Sequence, residues 1–234
     1  MALPQNTNLK ETFAELTKND EKVTALASTH FSKAASAERI NAAKAGLEAN
    51  GFKVHIVNTR ADAFEALKNL IPAGASINNA HSTTLEEIGF ITYIKGQTPW
   101  KNVHADIIAE KDPAKQAELR RTAGSTVDYY LTSVAAVTEN GHLAHGDLSG
   151  SKVGGVAFGA GNVIVIAGSN KIVKDEHEAW KRQEEHALPL ESARVRIAYG
   201  LPASAITHYE VIRKANPFNA NRIQVIIVNE ALGY

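Results

Sequence analysis

The stretch GASINNAHSTTLEEIGF, residues 74–90, changes from the pattern of a strand to that of a helix within a few residues. ASINN has the composition of a short strand, and TTLEEIGF begins a charged helix. The polar turn NNAHST therefore lies at the carboxyl end of a strand. Because open α/β sheets bind ligands outside such ends, the stretch predicts both a fold class and the position of a site.

The segments on either side of this stretch alternate between the same two patterns. Residues 1 to about 50 are predicted to be helical, for two reasons. They contain an apolar series at helical spacing, and an Ala-rich stretch has Ser36 as a plausible N-cap and Gly51 as a helix stop. The apolar series is Leu9, Phe13, Leu16, Val23 and Leu26. Further strands are predicted in 52–58, 128–147, 162–173 and 222–234, and further helices in 59–71, 100–122 and 175–200. Asp112 is a predicted cap within 100–122, Asn140-Gly141 a hairpin turn within 128–147, and Pro189 an interruption within 175–200. This order predicts one layered α/β domain over residues 1–234.

The composition excludes several classes of protein and site. Lys and Arg number 25 and Asp and Glu number 25, so the chain lacks the positive charge of a nucleic-acid binder. No apolar run approaches the roughly 18 residues of a membrane span, and the first residues do not read as a secretory signal, so we expect a cytoplasmic protein without membrane insertion. The chain has no cysteine and therefore no thiol nucleophile, thiolate zinc site or iron–sulfur cluster of its own. Without a convincing dinucleotide fingerprint either, we expect no tightly bound cofactor.

The turn after the ASINN strand carries more polar side chains than one helix cap requires. These are Asn78, Asn79, His81, Ser82, Thr83 and Thr84. One interpretation is a pocket in which the free N–H groups of the following helix and these hydroxyls hold an anion. The other is an ordinary N-cap, Ser82 or Thr83, with Glu86 completing a capping box.

Four separated motifs resemble the LUD domain family, which includes the lactate utilisation protein C group. They are GASINNAHSTTLEEIGF, DYYLTSVAAVTENG, DLSGSKVGGVAFGAGNVIVIAGSNKIV and ALPLESARV, in the family's order and spacing. The resemblance implies a Rossmann-like mixed, mostly parallel sheet flanked by helices, as in sugar-phosphate isomerases and CoA transferases. It also implies participation in the oxidation of lactate to pyruvate, with iron–sulfur clusters only on partner proteins.

Two further polar loops follow predicted strands. The family usually has Asp-Gly-x-Gly-Asn-Arg where this chain has Asp147 to Lys152, so the acid, one glycine and the final cation remain, whereas Leu148 and Ser151 depart from the pattern. Asp147 could orient a hydroxyl of a ligand or only stabilise a surface turn. In AGSNKIV, Lys171 could neutralise an anion or be solvated, and Asn170 could cap the helix that begins near Lys174.

The three loops together predict an anion pocket. The predicted ligand-binding residues are Asn79, Ser82, Thr83, Thr84, Ser149, Lys152, Asn170 and Lys171, and the predicted catalytic residues are His81, Glu87 and Asp147. Which of Glu86 and Glu87 faces the pocket remains open. No metal is expected; if one binds, His81 and His145 are the candidate ligands. His177 and His186 are predicted to face solvent.

The function is left between three interpretations. The first is a cluster-free component of a lactate-oxidising system that binds a small hydroxy acid or phosphorylated anion. The second is a stand-alone isomerase, hydrolase or transferase acting on a sugar phosphate or CoA ester, and the third is a non-catalytic anion-binding subunit. The apolar series near the N-terminus also allows a homo-oligomer.

Overall fold

The computed structural model describes residues 20–234, so the predicted helical positions Leu9, Phe13 and Leu16 lie outside the described residues. The strands are β1 (Lys53–Val57), β2 (Ser76–Asn79), β3 (Lys101–Asn102), β4 (Tyr129–Thr132), β5 (Ala136–Thr138), β6 (Leu143–Asp147), β7 (Asn162–Gly168), β8 (Ile172–Val173), β9 (His208–Ile212) and β10 (Ile223–Val228). The α-helices are α1 (Glu21–Ala27), α2 (Ala37–Ala49), α3 (Arg60–Leu70), α4 (Thr83–Glu87), α5 (Phe90–Tyr93), α6 (Val103–Ala109), α7 (Pro113–Arg121), α8 (Ser151–Gly154), α9 (Glu176–Arg182) and α10 (Leu188–Tyr199).

A six-stranded sheet forms the centre of the molecule, with strand order β1-β10-β7-β4-β2-β3. Every pair in it is parallel, which confirms the predicted α/β fold. The central strands β7 and β10 are rich in Val and Ile because helices cover both faces of a parallel sheet. Val165 and Val225 lie in the apolar core on one face, and Ile164 and Ile226 lie in the core on the other.

A second sheet of four strands, in the order β8-β5-β6-β9, contains the antiparallel pairs. The predicted turn at Asn140-Gly141 joins β5 to β6, and Gly141 has a φ of 81°. The strand β9 is not among the predicted elements. Its sequence, HYEVI, is short and only half-buried, so it lacks the long apolar run that marks β7 and β10.

The predicted local signals at helix ends are largely confirmed. Ser36 accepts a hydrogen bond from the backbone N–H of Arg39, and Asp112 caps α7. The predicted interruption near Pro189 is a π-helical segment, Gln183–Ala187, that joins α9 to α10. A proline cannot continue an ordinary helical hydrogen-bond ladder, and a π-turn relieves that conflict without ending the helix. Among residues 20–234, no helix has the length and apolar character that crossing a membrane requires.

Candidate functional site

The first and third predicted loops meet at the carboxyl edge of the parallel sheet. The ammonium Nζ of Lys171, which follows β7, donates to Thr84 Oγ1 and to Ser133 Oγ at 2.9 Å each. Ser133 directly follows β4, the strand that lies between β2 and β7. Three neighbouring strand ends therefore contribute to one polar cluster. Ser133 was missed by the sequence reasoning, because nothing local distinguishes it from an ordinary loop serine.

The chain's own segment 229–234 lies across this cluster. Asn170 accepts a hydrogen bond from Leu232 N and donates to Gly233 O, both at 3.0 Å. The carboxylate of Glu87 accepts from Gly233 N at 3.0 Å. Glu87 and Asn170, predicted to act on a ligand, thus hold the backbone of this segment in the described structure. A Cβ on Gly233 would stand 2.4 Å from Thr84 Oγ1, so only glycine fits there.

The turn before α4 is partly an ordinary cap. The hydroxyl of Ser82 accepts a hydrogen bond from the backbone N–H of Leu85 at 3.3 Å, as expected if Ser82 is the N-cap. The helix α4 has five residues, too few for a strong dipole at its N-terminus. Thr83 hydrogen-bonds to the side chain of Tyr234. Asn79 is buried, and its Nδ2 donates to Ala80 O.

Glu86 and His81 are the titratable pair of this turn. Glu86 Oε1 lies 3.9 Å from His81 Nδ1. Burial raises the pKa of Glu86 to about 7. Burial, followed by the charge of Arg194, lowers the pKa of His81; its side chain keeps 31% exposure, so water limits the size of this shift. Glu86 and His81 are therefore a candidate pair for proton transfer, whereas the carboxylate of Glu87 binds Gly233 N.

Helix α10 supplies residues that the sequence reasoning missed. Arg194 donates two hydrogen bonds to the carboxylate of Glu191, from Nε at 2.7 Å and from Nη2 at 2.5 Å. The hydroxyl of Tyr234 donates to the same carboxylate at 2.7 Å. Glu191 and Arg194 fall in the ALPLESARV motif, but a charged helix pattern does not show which of its side chains turn inward.

The second predicted loop is organised by Asp147. Its carboxylate accepts from the backbone N–H groups of Ser149 at 3.3 Å and Lys152 at 2.9 Å, as the turn-stabilising interpretation requires. The side chain of Lys152 is close enough to Asp147 and Glu191 for their charges to raise its pKa, although burial lowers it on balance. The charge of Lys152 also lowers the pKa of His81. The charge of Lys152 therefore acts on the first loop, while the hydroxyl of Ser149 pairs with Ser151.

The two histidines considered as metal ligands have separate surroundings. His145 is fully buried in the second sheet, with Nε2 3.1 Å from Glu210 Oε2, and burial lowers its pKa. His81 pairs with Glu86 instead. Among residues 20–234, no group of three or more His, Asp or Glu is arranged to hold a metal ion.

A group of basic side chains lies under the third loop. Arg182 is fully buried and donates to Ala135 O and Phe31 O. His186 was predicted to face solvent, which is wrong, since it is 2% exposed. The π-segment is the reason, because it changes the helical phase before Pro189 and turns His186 inward. Burial, followed by the charge of Arg182, lowers the pKa of His186 to about 3.

This low pKa predicts a loss of stability in mild acid. Between pH 6.5 and 5 the unfolded chain protonates His186 and the folded protein does not, so stability falls as the pH falls. Replacing His186 with glutamine should reduce the stability lost between pH 7 and 5 by about 1–2 kcal/mol, allowing for screening. Urea denaturation at both pH values measures this. NMR titration of the His186 ring with a midpoint near 6.5 would contradict it.

A recess of about 310 Å³ lies away from these loops. It is lined by Val156, Ala157, residues 210–216, Asn219, Arg222 and Ile223. One of its cations, Arg222, donates to Gly155 O, Val156 O and Ala160 O, so it is already used by the backbone. None of the predicted site residues lines this recess, and we place the candidate site at the carboxyl edge of the sheet, where the titratable groups converge.

Comparisons with known proteins give one family and one solved structure. The family model described as LUD domain matches residues 40–228. A crystal structure of a DUF162 family protein from Deinococcus radiodurans is similar at 16% identity, covering 82% of this chain and 97% of that chain with a TM-score of 0.45. No curated protein matches the chain.

Proposed function

We propose, from the premise that this chain belongs to the LUD domain family, that it binds a small hydroxy acid anion in lactate utilisation. Membership supports a role related to lactate utilisation in general. The finer proposal is a cytoplasmic, cluster-free component of a system that oxidises lactate to pyruvate. Because the chain has no cysteine, iron–sulfur clusters in such a system would lie on partner proteins.

The observation that carries this proposal is the group of charges at the carboxyl edge of the sheet. Lys152 and Arg194 are cations able to neutralise a carboxylate or a phosphate. His81 and Glu86 are both close enough to Arg194 for its charge to lower their pKa values. A carboxylate at the cations would bring an adjacent hydroxyl towards groups able to accept or donate a proton.

Lys152 is the cation that a ligand can most readily recruit. Arg194 already forms a two-pronged pair with Glu191, which an incoming anion would have to displace. Lys152 is half-buried and forms none of the ion pairs found within 4 Å among residues 20–234. An anion could therefore bind at Lys152 without breaking a direct ion pair.

Replacing Lys152 with alanine should weaken ligand binding while leaving the fold intact. Losing one charge-assisted hydrogen bond should cost about 1.5–3 kcal/mol, roughly ten- to a hundredfold in Kd. Calorimetry with L-lactate, D-lactate, pyruvate and inorganic phosphate measures the effect. The matched control is Lys174→Ala, which removes an exposed lysine outside the site.

The outcomes separate this proposal from that of a stand-alone enzyme. Binding of lactate or pyruvate that Lys152→Ala weakens and Lys174→Ala does not supports the proposal. Binding of phosphate alone would favour a sugar-phosphate ligand, and catalytic turnover of a sugar phosphate or CoA ester by the isolated chain would favour a stand-alone enzyme. If none of the four anions binds to the wild-type protein, the proposed site is wrong.

A further inference from the structure

Lys171 has surroundings unlike those of a cation that neutralises a ligand. Its side chain is 2% exposed, and its Nζ donates to two hydroxyls, Thr84 Oγ1 and Ser133 Oγ. Among residues 20–234, no carboxylate lies within 4 Å of this nitrogen as an ion-pair partner. A buried ammonium without a carboxylate is costly, whereas an uncharged amine satisfied by hydroxyls is not.

We propose that Lys171 is a carbonyl-reactive amine that forms an imine with a 2-oxo acid or an aldehyde at the carboxyl edge of the sheet. The choice of a 2-oxo acid rests on the proposed function, since oxidation of a 2-hydroxy acid yields one. The reactivity of the amine itself does not rest on it.

The electrostatics of the site agree with the geometry. Burial, followed by the charge of Arg182, lowers the pKa of Lys171 well below its ordinary value. Desolvation and a neighbouring cation are the two devices that turn lysine into a nucleophile at neutral pH, because only the uncharged amine has a free electron pair. Glu87 opposes this shift, but its carboxylate is engaged by Gly233 N.

The chemical step needs no oxidant or reductant. The electron pair of Nζ forms a bond to the carbonyl carbon, and the C=O π electrons move to oxygen, which gains a proton. Loss of this oxygen as water and of the remaining proton from nitrogen leaves a C=N bond. The hydroxyls of Thr84 and Ser133 are both hydrogen-bonded to Nζ and are placed to carry a proton between nitrogen and oxygen.

Access to Lys171 requires the segment 232–234 to move. A Cβ on Gly233 would lie 3.4 Å from Lys171 Nζ, so the backbone of this segment covers the amine. Asn170 supplies two of the hydrogen bonds that hold it, and Glu87 supplies another. Asn170→Ala should therefore loosen the segment and speed entry of a carbonyl compound.

Reductive trapping tests the proposal on the full chain. The protein is incubated at pH 7.5 with pyruvate and sodium cyanoborohydride, digested, and the modified lysines are located by mass spectrometry. Since each unit of pKa decrease raises the uncharged fraction about tenfold, we expect Lys171 to be modified roughly tenfold or more above the exposed Lys174. Asn170→Ala should raise the yield of reductive modification at Lys171. In the Lys171→Arg variant, no other lysine should be modified preferentially over Lys174.

A parallel incubation with propanal, a neutral aldehyde, separates this proposal from the proposed function. Preferential modification by propanal but not by pyruvate would support the reactive amine and count against a 2-oxo acid site. If pyruvate binds by calorimetry but neither compound modifies Lys171 above Lys174, in wild type or in Asn170→Ala, the reactive amine is overturned and the binding function stands. If neither lactate, pyruvate nor phosphate binds, and neither pyruvate nor propanal selects Lys171, both are overturned.

Discussion

Replacing Gly141 with alanine is expected to lower the free energy of unfolding by about 3 kcal/mol or more. Gly141 has a φ of 81°, in the left-handed region that side chains disfavour. A Cβ there would also stand 2.0 Å from Gly46 C and 2.3 Å from Gly46 O. These are backbone atoms of helix α2, so no side chain can rotate away and α2 must separate from the β5–β6 hairpin.

Gly74 provides a matched control for the backbone conformation. Its φ is 83°, close to that of Gly141, but a Cβ there would meet no atom within 4 Å. Gly74→Ala should therefore cost only the left-handed strain, about 1–2 kcal/mol. Urea denaturation of both variants measures the difference. Equal losses of stability would show that the contact with Gly46 does not hold the hairpin on the helix.

The hairpin illustrates how much of the fold the sequence predicts. Asn140-Gly141 is a local turn signal, and the structure has a turn there between β5 and β6. The packing of that turn against Gly46, about a hundred residues earlier, has no local signal. Strands with long apolar runs, such as β7 and β10, were likewise predictable, whereas β9 was missed because a half-buried edge strand has no distinctive composition.

In the candidate site, too, some features have a local sequence signal and others depend on distant contacts. Its place at the carboxyl edge follows from a general rule for parallel sheets, and the polar loops containing Thr84 and Lys171 were predicted from it. Their partners were not predictable, because Ser133 belongs to a third strand end and Gly233 to a distant segment. The inward direction of Arg194 depends on how α10 is rotated, which the π-segment before it determines.

Arg182 should be the other position with a large effect on stability. Its side chain is fully buried, and its guanidinium donates to Ala135 O and Phe31 O. These bonds join the turn at residues 30–32 to the start of the second sheet. Arg182→Ala would leave a cavity and two buried carbonyls without donors, which together should cost about 3–5 kcal/mol.

The cost of burying the Arg182 charge reduces the loss of stability expected for Arg182→Ala but does not cancel it. Burial lowers the pKa of Arg182 to about 9, which shows that the charge is held at a cost. Removing the charge recovers part of that cost. Arg182→Met, which fills more of the space, should therefore lose less stability than Arg182→Ala. Arg213→Ala is the control: Arg213 is 67% exposed and pairs with Glu176 at the surface, so its removal should cost far less stability than Arg182→Ala.

The same guanidinium connects the stability of this region to the chemistry of Lys171. The charge of Arg182 is the second cause, after burial, of the low pKa of Lys171. Arg182→Met should raise that pKa, reduce the uncharged fraction of the amine and lower the yield of reductive trapping at neutral pH. Raising the pH should restore the yield in the variant. A folded Arg182→Met protein that traps pyruvate at the wild-type yield and with the wild-type pH dependence would show that burial alone sets the state of Lys171.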